Sequence, residues 1–165
     1  MIVLWKLIIT LGIIAFIVYN IHKLETAKKE INSRISFKEA LDLTSLPIVT
    51  FENNGRKINF LLDTGASKSI INVRELSTCK YENAEGTSIL TGIDGIPRET
   101  ENVKLILSYN NKEYVDVFQK TDMSSSFDVI KRSTGVNIHG ILGTAFFNKY
   151  KYILDFDKLI AYSKK

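Results

Sequence analysis

The stretch Asp63-Thr64-Gly65-Ala66-Ser67 combines residue types that can do chemistry. Asp63 ends the apolar run Ile58-Asn59-Phe60-Leu61-Leu62 and enters a glycine turn. Drawing an ionised carboxylate out of water costs free energy unless hydrogen bonds or a function offset it. An acid at the end of an apolar strand is therefore a candidate proton donor or acceptor. The same residues also suit a plain turn, because Asp caps turns and Gly frees the backbone. Three common residues in a row do not decide between these readings.

The remaining reactive side chains offer less. Cys79 is the one cysteine, so neither an internal disulfide nor a thiolate cluster can form. The two histidines, His22 and His139, belong to no H-E-x-x-H, and no metal is expected. Ser77-Thr78-Cys79-Lys80 spells S-x-x-K without an S-D-N or K-T-G partner. A Cys79–His139 dyad can be written down, but a lone buried thiol is more often inert. No glycine-rich phosphate loop follows a strand, so no cofactor is expected.

The elements that must position Asp63 read as strands. Ile48-Val49-Thr50-Phe51 and residues 57–62 flank Asn53-Asn54-Gly55, a hairpin signal. Ile58, Phe60 and Leu62 face one way, and Asn59, Leu61 and Asp63 the other. Residues 69–73 form a further short strand. Val103, Leu105 and Leu107 alternate ahead of the turn Tyr109-Asn110-Asn111, which leads to residues 113–119. Residues 152–156 and 159–162 flank Asp157-Lys158 as a closing hairpin. One short helix is expected near residues 145–149, after Gly143, and Ser124-Ser125-Ser126 reads as a loop. Short strands with frequent turns predict an all-β barrel or sandwich.

Composition narrows the class. The chain has 165 residues, 45% hydrophobic and 24% charged, with 2 Pro and 9 Gly, which fits one small domain and an appendage. The net charge of +4 is unevenly placed. Residues 1–40 hold six basic and three acidic side chains, and the rest hold sixteen and fifteen. The body has no clustered basic face, so no nucleic-acid partner is expected.

In this context the sequence resembles the retropepsin-like aspartic proteases. Phe60-Leu61-Leu62-Asp63-Thr64-Gly65-Ala66-Ser67, followed by Ile70-Ile71, matches the family's strand, Asp-Thr-Gly and second strand. Ile141-Leu142-Gly143-Thr144-Ala145-Phe146-Phe147 matches its two apolar residues and Gly ahead of a helix. Gly92-Ile93-Asp94-Gly95 lies where the family has its flap, a hairpin with a glycine-rich tip. The closing strand pair is a fourth landmark. All four occur in family order and cover about 47–165.

The resemblance implies a closed β-barrel and a role for each landmark. Asp63 would be catalytic, holding the water that attacks a peptide carbonyl. Thr64 would hydrogen-bond to the other lobe's loop, and Gly65 would offer its N–H to the carboxylate. Ile141, Leu142 and Gly143 would support the loop from beneath, and Gly92, Ile93, Asp94 and Gly95 would cover the substrate. Ser67 falls where family members contact the substrate backbone. Ala66 stands where acid-adapted relatives place Ser, which leaves the carboxylate one donor fewer and implies a less acidic optimum. Each position also has a plain packing or turn role.

Such proteolysis needs two carboxylates sharing a proton, and this chain has a single Asp-Thr-Gly. The second Asp63 is expected from a second copy, in a two-fold homodimer acting on a protein or peptide. A non-catalytic dimeric peptide-binding module on the same fold is the alternative reading, and a structural stalk protein the third.

Ahead of the body, residues 2–21 form a hydrophobic run in which only Lys6 and Asn20 are strongly polar, with Trp5 and Tyr19 near opposite ends. Their length suits a transmembrane helix with an aromatic belt. No small-residue cleavage site follows, which disfavours a cleaved signal. Lys23, Lys28 and Lys29 mildly favour a cytoplasmic body, though such starts often serve as export anchors, and the side of the membrane stays open. The expected organisation is an N-terminal anchor over 1–23, a helical linker over 24–46 and a retropepsin-like domain over 47–165. The linker's thin stripe through Leu24, Ala27, Ile31 and Ile35 reads as a solvated spacer, with helix pairing as the alternative.

Overall fold

A computed structural model describes residues 2–32, 34–92 and 95–163. The chain divides into two compact units, Met1–Ser33 and Arg34–Lys165.

The first unit is one helix, α1 (Ile2–Asn32). Within it Ile9–Lys28 is long and apolar enough to cross a bilayer, by length and composition. Leu11, Ile13, Ile14, Phe16, Ile17 and Val18 are all exposed, so apolar side chains cover every side of the helix and form no stripe.

The second unit begins earlier than the expected boundary. β1 (Arg34–Ser36) and α2 (Lys38–Thr44) precede β2 (Ile48–Asn53). Ile35 and Phe37 are 2% and 1% exposed within the main core. The span 24–46 therefore divides: residues 24–32 continue α1, while residues from 34 onward are part of the body. The physical reason is tertiary. Ile35 lies on a three-residue strand opposite Ala161, too short to show alternation and paired with a partner far along the chain.

The elements then run β3 (Arg56–Leu62), β4 (Ile70–Asn72), α3 (Val73–Leu76), β5 (Tyr81–Thr91), β6 (Pro97–Tyr109) and β7 (Lys112–Thr121). They continue with α4 (Ser124–Thr134), β8 (Gly140–Leu142), α5 (Thr144–Tyr150), β9 (Tyr152–Asp155) and β10 (Ile160–Ser163). Among the described residues two sheets form. The larger has the order β2-β3-β8-β4-β7-β6-β5, and a pairing of Glu52 with Ser108 joins β2 back to β6. That pairing closes a ring, with β5 added outside it. The smaller sheet is β1-β10-β9.

Local chemistry accounts for the turns. Asn54 and Gly55 both take positive φ (51° and 79°) between the paired residues Asn53 and Arg56. Asn110 and Asn111 do the same between Tyr109 and Lys112. Two consecutive left-handed residues match the twist of a hairpin, and Asn and Gly tolerate that geometry best. The expected short helix is α5. Ser124-Ser125-Ser126 proves to be the start of α4, which places Met123, Phe127 and Ile130 on one face against a second cluster of apolar side chains.

The main core fills the ring with Phe51, Ile58, Phe60, Leu105, Leu107, Tyr114, Phe118 and Phe146. Fully burying such a side chain contributes about 1.5–3 kcal/mol. Phe146 ties α5 into this core: its ring lies 6.1 Å from Phe51, 5.8 Å from Tyr114 and 5.8 Å from Tyr152. That anchorage fixes the helix on which the Asp63 loop rests.

Candidate active site

Asp63 leaves the end of β3 half-buried, and the exposed Thr64 and Gly65 follow it. The Gly65 N–H donates to Asp63 Oδ1 at 2.8 Å. A Cβ on Gly65 would lie 3.1 Å from that same oxygen, so glycine lets the N–H approach without crowding the carboxylate. The Ala66 N–H reaches back to the Asp63 carbonyl at 3.3 Å, closing the turn.

β8 runs parallel to β3, with Leu61 opposite Ile141 and Leu62 opposite Leu142. The Asp63 N–H continues that ladder by donating to the Leu142 carbonyl at 3.0 Å. On its other side β8 pairs antiparallel with β4, setting Ile141 opposite Ile70. Ile141, Leu142 and Gly143 are all buried. The structure thus brings Asp63–Ser67 and residues 141–143 together as two adjoining strand ends.

α5 completes the support. The first N–H groups of a helix have no partner within it. Here those of Thr144 and Ala145 donate to the Ala66 and Ser67 carbonyls at 2.8 and 3.1 Å. The Thr144 hydroxyl lies 3.2 Å from each of the same two carbonyls. A Cβ on Gly143 would sit 2.5 Å from the Lys68 carbonyl oxygen and 2.7 Å from that of Ala66. Only glycine allows the helix to come this close. The Gly143 N–H is taken by the buried Ser69 hydroxyl at 3.3 Å.

Further from Asp63, a polar cluster pins the same strands, and nothing in the sequence pattern marks it. His139 and Asn59 exchange hydrogen bonds: the Asn59 N–H donates to His139 Nδ1 at 3.0 Å, and the His139 N–H donates to the Asn59 carbonyl at 2.9 Å. The Asn59 side chain also donates to the Asn137 carbonyl at 2.9 Å and accepts from Thr50 at 2.8 Å. His139 Nε2 lies 3.8 Å from Glu75, whose carboxylate pairs with Arg56 at 2.8 Å. Burial holds His139 below the ordinary histidine value, and the nearby Glu75 carboxylate opposes it only in part. Cys79 faces Arg56, with Sγ 3.9 Å from Nη1, and burial pushes its thiol up.

The β5–β6 hairpin occupies the expected flap interval, paired from Tyr81 opposite Leu105 to Thr91 opposite Pro97. At its tip the Gly95 N–H donates to the Gly92 carbonyl at 3.0 Å. Ile93 and Asp94 lie outside the described residues. Leu90, near the tip, packs on the second cluster, which also takes up Leu61 and Ala66. The hairpin and the Asp63 loop thus share one small group of buried side chains, among them Ile70, Phe127 and Ile141.

A comparison with the curated proteins finds no match. The model of a family described as aspartyl protease matches residues 49–146, an interval that holds the ring's strands, the Asp63 loop and the start of α5. The chain belongs to that family, the retropepsin-like aspartyl proteases.

Proposed function

We propose that this protein is a membrane-anchored aspartic endopeptidase acting as a homodimer, with one Asp63 from each copy. The observation that carries the reading is the Asp63 carboxylate itself, held by the Gly65 N–H in a loop locked onto β8 and α5. Each chain supplies one Asp-Thr-Gly. A two-fold axis beside the loops sets two such carboxylates side by side, where like charges favour one shared proton.

The ionised carboxylate takes a proton from a water while the water oxygen attacks the peptide carbonyl carbon. The protonated partner gives its proton to the carbonyl oxygen. As the diol collapses and the carbon–nitrogen bond breaks, one hydroxyl returns its proton to the second carboxylate, and the nitrogen takes the proton held by the first. A carboxylic acid and an amine leave. Thr64 links the two loops, Gly65 orients the carboxylate, Ser67 contacts the substrate main chain, and the flap tip excludes water. Residues 141–143 keep the loop in place. α1 holds the body at a bilayer, where confinement raises the effective concentration of copies.

The test is the whole 165-residue chain reconstituted in vesicles and given a peptide mixture, wild type beside Asp63→Asn. Cleavage by the wild type alone is expected. Equal product from both removes the aspartic mechanism. Peptide binding by both, with cleavage by neither, makes the protein a binding module.

A further inference from the structure

We infer that His139 is a positioning residue for Asp63, and that cleavage requires its imidazole to be neutral. The inference rests on the endopeptidase reading above and adds a control to that same site.

β3 and β8 pair in parallel, with Phe60 opposite Gly140 and Leu62 opposite Leu142. Asn59 and His139 stand at the entrance of this ladder and Asp63 at its exit. At the entrance the His139 N–H donates to the Asn59 carbonyl at 2.9 Å, and at the exit the Asp63 N–H donates to the Leu142 carbonyl at 3.0 Å. The entrance carries one bond that no main-chain ladder supplies. The Asn59 N–H donates to His139 Nδ1 at 3.0 Å. The His139 carbonyl in turn accepts the Asn72 N–H at 2.9 Å, so the same residue also holds the end of β4. The side chain is buried, at 6% exposure, and a buried N–H that loses its acceptor has no ready substitute.

Nδ1 accepts a hydrogen bond only while the ring is neutral. Nε2 then carries the proton, 3.2 Å from the Asn137 side-chain amide and 3.8 Å from Glu75. A second proton turns Nδ1 into a donor facing the Asn59 N–H, so the ring and that strand must part. Glu75 gives the charged ring a place to go, in competition with Arg56, its partner at 2.8 Å. The cluster thus has two arrangements, a neutral ring clamped on β3 and a charged ring drawn to α3. Burial favours the neutral ring; Glu75 on α3 opposes it, and Arg56 on β3 and Lys131 on α4 support it. Release of Asn59 frees the strand that delivers Asp63, and a displacement of about 1 Å at reacting groups can cost about a hundredfold in rate.

The sign is fixed. Acid charges His139 and switches cleavage off, whereas alkali takes the shared proton from the Asp63 pair. The experiment measures kcat/KM against pH for the whole chain in vesicles, with wild type, His139→Asn, Glu75→Gln and Asp63→Asn side by side. Far-UV circular dichroism follows the fold at each pH, and the His139 ring is titrated by NMR in detergent micelles, its signal assigned by its absence from His139→Asn. Wild-type kcat/KM should fall by about tenfold per pH unit below the midpoint of the ring titration, with the fold intact. His139→Asn keeps an acceptor without a titration, and its acid limb should lie at lower pH. Glu75→Gln keeps the ring but removes the acid that attracts its charged form, and should move the ring midpoint and the acid limb down together. An acid limb that both variants leave in place, a ring that stays neutral across the active range, or a loss of activity that only follows unfolding overturns the inference while cleavage dependent on Asp63 stands. Indifference to Asp63→Asn overturns the protease reading and this inference together.

Discussion

The Ala66 carbonyl faces both donors of Thr144, the N–H at 2.8 Å and the hydroxyl at 3.2 Å. One residue of α5 thereby sets the exit of the Asp63 loop. Thr144→Val keeps the shape and the N–H but removes the hydroxyl. Stability should fall by about 1 kcal/mol. kcat should fall about tenfold with KM little changed, since a loosened loop misplaces the carboxylate more than the bound peptide. Thermal melts and steady-state kinetics check both parts, and an unchanged kcat counts against positioning through Thr144.

Gly143 and Gly65 should differ in their tolerance of a methyl group. At Gly143 a Cβ meets main-chain oxygens at 2.5 and 2.7 Å, atoms that cannot yield without moving the loop. Gly143→Ala should cost about 1–3 kcal/mol, the range of overpacked sites. At Gly65 the Cβ meets only the Asp63 carboxylate, at 3.1 Å. Gly65→Ala should be milder in stability and severe in activity. Urea midpoints in the reverse order would contradict this geometry.

His139 predicts a pH dependence of stability. Its folded value lies below the ordinary 6.5, so on acidification the unfolded chain takes up the proton first. The contribution is complete above about pH 6.5 and declines as pH falls toward the lower folded value. Glu75 counteracts this, while Arg56 and Lys131 reinforce it. His139→Asn retains an acceptor for the Asn59 N–H and removes the titration. Its melting temperature should vary less between pH 7 and pH 5 than that of the wild type, and parallel curves would refute the assignment.

If each active site takes one Asp63 from each of two copies, mixing wild type with Asp63→Asn should cost more than dilution. With random pairing, active pairs form as the square of the wild-type fraction, so an equal mixture retains about one quarter of the activity. Co-reconstitution at fixed total protein measures this. A linear dependence would place the whole site within one chain.

Several parts of this arrangement are visible in the sequence. Alternation through Ile58, Phe60 and Leu62 identifies the strand that delivers Asp63, and Asn54-Gly55 fixes the register of its hairpin. The parallel contact of Leu62 with Leu142 is another matter, because no local pattern says which distant strand fills the gap between β3 and β4. His139 illustrates the same limit. Between Ile138 and Gly140 its spelling is ordinary, and only the paired strands give it Asn59 as a neighbour.

α4 was legible but masked by its serines. Met123, Phe127 and Ile130 follow helical spacing, Lys131 and Arg132 suit the last turn, and Gly135 takes φ 76° beyond the end. These signals outweigh three polar residues at the start. Ile35 errs the other way: its spacing from Ile31 fits a helical stripe, yet it lies on a strand.

The pairing of β1 with β10 bears on when the body can close. Ser36 meets Ile160, and Ile35 lies opposite Ala161, so β1 waits for a strand made far later in the chain. Loop closure over such a span is slow and must precede the contacts that reward it. A ribosome releasing this chain therefore exposes α1 long before β1 has its partner. The Asp63 loop depends on α5, which emerges late as well. Synthesis itself thus delays the support of the Asp63 loop until almost the whole body is available, a built-in interval in which the loop lacks its seat on α5.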